Sequence, residues 1–141
     1  KDLIEQLDND YKMDLEANNI KLFINCNCLN DNIMIDVMKI KRVFSNIISN
    51  SVRYLKGNGF IKISIKKVNG SYVFKITDNG PGVDESIINK IFEPLYTTDY
   101  SRKISGLGLS ICKEFIILHS GTIKAYNNYG LTIEFTIPIK K

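Results

Sequence analysis

Hydrophobic residues recur along this chain with two different periods, and the switches between them divide it into elements. Leu3, Ile4, Leu7, Tyr11 and Leu15 fall near helical spacing, so residues 2–17 predict an amphipathic helix that Asn18-Asn19 closes. Residues 20–25 then alternate as a strand does. Asp36 stands as an N-cap before a long helix that ends near Lys56, where Gly57-Asn58-Gly59 stops it. Residues 60–68 and 72–77 alternate apolar with polar, and Asn69-Gly70 between them is a two-residue hairpin signal. From Asp78 to Ser105 the rhythm breaks, leaving a short helical stretch around residues 85–92 before Pro94. Leu109, Cys112, Phe115, Ile116 and His119 mark another helix, Ser120-Gly121 ends it, and strands at 122–126 and 131–137 follow. Helices set between antiparallel hairpins predict an α+β fold, a mixed sheet with helices layered on one face.

The length of 141 residues sets one domain, large enough to bury about two-thirds of its unfolded surface. A hydrophobic share of 44% and a charged share of 24% exclude a disordered chain. The net charge of +4 is that of a lysine-rich surface. No arginine cluster is interleaved with aromatics, so no nucleic-acid partner is expected. Cys26, Cys28 and Cys112 lack metal-ligand spacing and read as reduced packing cysteines of a cytosolic domain, the first two on one side of a strand. No run approaches the roughly 18 apolar residues of a membrane span, and no signal peptide is visible. The chain begins at Lys1 without a methionine, as an excised domain would, and membrane spans could lie upstream.

Three places carry candidate chemistry. On the long helix, Ile40, Phe44, Ile47, Ser51 and Leu55 form one stripe, while Asn46, Asn50 and Arg53 fall within about 60° of one another on a different, polar ridge. Tyr54 borders that ridge. An ordinary wet helix face would look similar, but asparagine is a mediocre helix former, and an amide oxygen can bind Mg²⁺ that bridges phosphates. Asp78, at a strand end, could accept a hydrogen bond from the exocyclic amine of adenine, and Gly80 and Gly82 would let a ligand lie against the backbone. A plain Asp-Asn-Gly turn is the simpler alternative. Gly106 and Gly108 open a helix, where unpaired N–H groups and the helix dipole receive phosphate. No Gly-Lys-Ser/Thr follows, so this is not the Walker loop, and no strand immediately precedes it, which excludes a dinucleotide fingerprint.

Taken together, these blocks resemble the ATP-binding catalytic domain of bacterial two-component sensor histidine kinases, within the group that also holds gyrase, the ninety-kilodalton heat-shock chaperone and MutL. The run from Arg42 to Tyr54 resembles the asparagine box, and Asp78-Asn79-Gly80-Pro81-Gly82-Val83 the first glycine box. Ile91-Phe92-Glu93-Pro94-Leu95-Tyr96 resembles the phenylalanine box, and Gly106-Leu107-Gly108-Leu109-Ser110-Ile111 the second glycine box. The likeness runs across nearly the whole chain, including the closing Gly130, Thr132, Phe135 and Pro138.

The resemblance implies a two-layer sandwich of a mixed sheet and three main helices with a mobile ATP lid. Residues 1–141 would be one catalytic domain, with 1–19 as connector and first helix and 84–105 as the lid. Asp78 would recognise the adenine amine, with Thr132 beside it and Gly82 against the ring. Asn50 would hold Mg²⁺, and Asn46 would lie close to the metal and phosphates. Arg53 would stand near the phosphates, and Tyr54 would flank the nucleotide. Phe92 would anchor the lid, while Tyr96 and the glycine-box residues Gly80, Gly106, Leu107, Gly108 and Leu109 would complete the ATP site. Two departures stand out: Ile104 replaces a common glycine two residues before Gly106, and Thr97-Thr98 follow Tyr96 where a basic residue is common. Arg102 or Lys103 could supply that charge.

The implied function is transfer of the ATP γ-phosphoryl group to a histidine on a dimerisation domain N-terminal to Lys1, with a cognate response regulator downstream. The implied cofactors are ATP and Mg²⁺. This fragment would be monomeric, and the full-length protein a homodimer with a cytoplasmic catalytic domain and a membrane anchor. His119, the one histidine, sits at a helix end and reads as structural. Asn46 stands where ATP-hydrolysing relatives carry glutamate, which implies feeble hydrolysis. Alternatives on the same fold are a serine kinase of the anti-sigma type and a non-catalytic nucleotide-sensing domain.

Overall fold

The computed structural model describes residues 2–26, 37–55, 59–86, 88–93 and 106–138. In chain order these form α1 (Asp2–Ala17), β1 (Ile20–Cys26), α2 (Val37–Leu55), β2 (Gly59–Val68), β3 (Ser71–Asp78), α3 (Gly106–Leu118), β4 (Thr122–Asn127) and β5 (Leu131–Pro138). Asp36, Lys56 and Cys28 lie outside the described residues. The strands make one sheet in the order β1-β2-β3-β5-β4. β1 runs parallel to β2, and every other pair is antiparallel. A parallel pair needs a long crossover, and α2 supplies it between β1 and β2.

Alternation decides which face of the sheet is covered. Ile61, Ile63 and Ile65 of β2, Phe74 and Ile76 of β3, and Ile133, Phe135 and Ile137 of β5 are buried. Their neighbours on the other face, such as Lys62, Lys66 and Lys75, are exposed or half-exposed. The helices close over the apolar face. Ile40, Val43, Phe44, Ile47, Ile48, Ser51 and Leu55 make the buried stripe of α2, with three aromatic rings at its centre. Phe74 and Phe135, paired across β3 and β5, stack at 4.6 Å, and Phe44 stands edge-on to them at 6.0 and 5.9 Å.

The helix ends follow from their terminal residues. Asn19 takes a left-handed φ of 63° and Asn18 Nδ2 donates to the Asp14 carbonyl, so the Asn-Asn pair stops α1 as its sequence predicts. Ser120, with φ 61°, ends α3 in a Schellman motif: Gly121 N–H bonds Ile116 C=O, and Ser120 N–H bonds Ile117 C=O. The helix predicted around residues 85–92 is only a 3₁₀ turn, Ile88–Lys90. Asp84 takes the Ser86 N–H and hydroxyl into a side-chain turn just before it, and Pro94 comes soon after, so the segment is too short for an α-helix. Ile88, Ile91 and Phe92 are nonetheless buried in the core. None of the described helices is long and apolar enough to cross a membrane.

Because Phe44 is the ring that joins α2 to both central strands, Phe44→Ala should remove about 3–5 kcal/mol of stability, read as a lowered midpoint in urea denaturation.

Candidate functional site

β3 ends on the helix-covered face with a charge. Asp78 is in phase with Phe74 and Ile76, so alternation turns its carboxylate inward, and the residue is only 1% exposed. Its Oδ1 accepts hydrogen bonds from the N–H groups of Gly80, at 2.9 Å, and Leu131, at 3.3 Å. Among the described residues its Oδ2 accepts none. A buried carboxylate oxygen without a donor is costly unless a ligand or water supplies one.

The turn after Asp78 is held from both sides. Asn79 Oδ1 accepts from the Phe60 N–H at 2.8 Å, which carries the β2–β3 ladder one step further by a side chain. Gly82 has a φ of 75°, and a Cβ there would overlap the side-chain oxygen of Asn127. Asn127 in turn bonds the backbone of Val83 and the carboxylate of Glu85. Gly130, at φ 141°, lies so close under β3 that a Cβ would overlap the Asp78 carbonyl oxygen. Asn79, Asn127 and the Leu131 N–H were not among the residues singled out in the sequence. An asparagine at a strand end looks like any other turn former, and a backbone donor leaves no sequence signal.

Thr132 does not sit beside the Asp78 carboxylate. It pairs with Thr77, whose side chain points to the opposite face from Asp78, and the two Oγ1 atoms bond at 2.9 Å. The neighbour that reaches Asp78 is the main chain of Leu131. Strand parity is the reason: one position along β5 separates the two faces.

Asn46 and Asn50 are both half-buried on α2, one turn apart, and α3 packs beside that helix. Cys112 of α3 lies beside the Asn46 side chain, and its thiol donates to the Val43 carbonyl at 3.6 Å. Burial pushes the Cys112 thiol from its ordinary 9.0 up to about 12, against smaller opposing pulls from the Asn46 amide and the Arg42 charge. Gly106 and Gly108 occupy the first turn of α3, where the sequence predicts a helix start. Leu109 and Phe92 are buried in the core. Arg53 and Tyr54 lie in the last turns of α2, and their side chains, like that of Leu107, are outside what is described. Tyr96, Arg102, Lys103 and Ile104 lie outside the described residues, as do residues 94–105 of the expected lid. Residues 84–86 and 88–93 of that segment dock on the domain.

Among the described residues no group of three or more His, Cys, Asp or Glu side chains could hold a metal. A cation here would need amide and phosphate oxygens, a donor set that suits Mg²⁺ bound through its nucleotide. His119 is tied to its own helix, its Nδ1 bonded to the Phe115 carbonyl at 2.9 Å and its ring 4.2 Å from that of Phe115.

A family model for histidine kinase-, DNA gyrase B- and HSP90-like ATPases matches residues 35–141. The chain belongs to that family. Sensor protein VanSC of Enterococcus gallinarum is 30% identical to this chain over 145 residues, 99% of the chain and 39% of the relative. Sensor histidine kinase WalK of Bacillus subtilis is 36% identical over 115 residues, 76% of the chain and 19% of the relative. The nucleotide-free catalytic domain of histidine kinase ThkA matches the domain with a TM-score of 0.88 at 28% identity, over 98% of this chain and 91% of that one. ThkA in complex with response regulator protein TrrA matches with a TM-score of 0.84, again at 28% identity, over 99% of this chain and 40% of that one. The chain spans only part of such relatives, 39% of the length of VanSC and 19% of that of WalK.

Two outcomes follow for the domain itself. Gly130→Ala should cost at least about 2 kcal/mol in urea denaturation, because the new methyl group meets backbone that cannot move aside. Cys112 should resist iodoacetamide at pH 8.5 in the folded domain and react on unfolding, followed by mass spectrometry. Its folded pKa is raised, so the stability it contributes is present below pH 9.0 and is lost as the pH rises toward about 12.

Proposed function

We propose that this domain is the ATP-binding catalytic unit of a sensor histidine kinase, and that it delivers the γ-phosphoryl group of ATP to a histidine on a dimerisation domain N-terminal to Lys1. The observation that carries the reading is Asp78, a carboxylate 1% exposed whose Oδ2 has no donor among the described residues. The exocyclic amine of adenine is a donor of the right kind. Guanine presents a carbonyl oxygen at that position, so the same oxygen would repel it. The Gly80–Gly82 turn lets the ring approach the backbone.

The phosphates would then extend toward the space between α2 and α3. The first turn of α3, a 13-residue helix, would turn its leading N–H groups and the positive end of its dipole toward them. Asn50 would give its amide oxygen to Mg²⁺, with Asn46 close by and Arg53 near the phosphates. Mg²⁺ supplies charge neutralisation on the phosphate oxygens when bound. Tyr54 and Tyr96 would flank the nucleotide, and residues 84–105 would cover it, Phe92 forming the docked root of that segment.

Phosphoryl transfer of this kind rests on positioning and charge stabilisation, with little covalent chemistry required of the protein. The γ-phosphorus bond to the bridging oxygen breaks as the imidazole nitrogen forms its own, and ADP leaves. Asn46 is no general base, so water would be activated poorly and hydrolysis would be slow. His119, held by Phe115, is not the acceptor, and the isolated domain would not phosphorylate itself. A response regulator would take the phosphoryl group onward, in a full-length homodimer anchored at the cell membrane; the ThkA–TrrA complex supports that partner class.

Calorimetric titration of ADP and ATP with Mg²⁺ tests the reading. Wild type should bind both, and Asp78→Asn should lose at least about tenfold in affinity, since its amide can turn a second donor toward the adenine amine. A folded wild type that binds neither nucleotide would sink the proposal.

A further inference from the structure

Asn127, the last residue of β4, ties together two segments far apart in sequence. Its Oδ1 accepts from the Val83 N–H at 2.9 Å, and its Nδ2 donates to the Val83 carbonyl at 2.6 Å and to Glu85 Oε1 at 2.9 Å. One amide thus answers both polar groups of a single residue's backbone, as a neighbouring strand would. The same Oδ1 fills the space that a side chain on residue 82 would need. Asn127 is itself exposed, so core packing does not require an amide there.

Between Asn127 and Asp78 the chain has little freedom. The Gly80 N–H is held by Asp78 Oδ1, and Val83 is held by Asn127, so the turn between them is pinned at both ends. We propose that Asn127 is a positioning residue for the nucleotide base: through Val83 it holds the Gly80–Gly82 turn in the shape that lets adenine lie against Gly82 while its amine meets Asp78 Oδ2. This rests on the nucleotide reading above. The contribution to affinity is preorganisation, since a turn already fixed loses little entropy when the ligand arrives.

Two substitutions separate this role from simple support. Asn127→Ala removes all three hydrogen bonds. Asn127→Asp keeps the shape and the acceptor for the Val83 N–H, but it cannot donate to the Val83 carbonyl and brings a second carboxylate against Glu85. Both variants and the wild type would be titrated with ADP and with GDP, and their unfolding in urea would be measured without nucleotide. Both variants should fold and lose about tenfold in ADP affinity, with the preference for ADP over GDP reduced by a similar factor. A folded variant that binds ADP within about twofold of wild type, with an unchanged ADP-to-GDP ratio, overturns the inference alone. Should Asn127→Ala not fold, Asn127→Asp decides by the same criterion. A wild type that binds no ADP overturns the nucleotide reading and this inference with it.

Discussion

A carboxylate placed on the buried face of a sheet has to be answered by donors, and much of the site's geometry follows from that need. The alternation that turns Phe74 and Ile76 inward leaves Asp78 no other direction. Two backbone N–H groups meet its Oδ1, and each imposes a shape. Gly80 can reach only if the chain turns back sharply after β3. Leu131 can reach only if β5 begins directly under that turn, which brings the Gly130 backbone against Asp78 with no room for a side chain. The Phe44, Phe74 and Phe135 rings lie below on the same face and hold the seam between β3 and β5. The apolar core and the polar site are therefore two ends of one seam.

Much of this was legible in the sequence, for identifiable reasons. The two periods of hydrophobicity placed α1, α2, α3 and the five strands to within a residue or two, because each element has one buried face. Asn19 and Ser120 take left-handed conformations where the sequence predicts helix ends. The blocks containing Asn46, Asn50, Asp78, Gly106 and Gly108 were visible as departures from plain periodicity. The stretch around residues 85–92 reads as a helix from its spacing alone, but the Asp84–Ser86 turn takes its first donors. The resemblance sets Thr132 beside Asp78, but it does not carry strand parity; pairing with Thr77 turns the Thr132 side chain to the other face. Asn127 and Asn79 were missed because their partners lie 44 and 19 residues away. Pairing at that range needs the sheet topology.

The two faces of the sheet bear different loads. On the open face, Glu134 lies between Lys75 and Lys124 at 3.7 and 3.4 Å, and surface pairs of this kind contribute little. The covered face holds the large apolar side chains and the inward carboxylate. It also carries the Cys112 thiol, through which α3 is bonded to the Val43 carbonyl of α2.

The span of the Asp78–Leu131 hydrogen bond, 53 residues, bears on how the domain comes into being. The hairpins β2–β3 and β4–β5 close over turns of only a few residues, so each can form early from local sequence. Neither contains the site. Asp78 belongs to one hairpin and its Leu131 donor to the other, while the asparagine ridge belongs to a helix that must also cross between parallel strands. With both hairpins formed but unjoined, Asp78 would lack its Leu131 donor. The donor set of this carboxylate is therefore completed only by the β3–β5 seam, which neither hairpin forms alone.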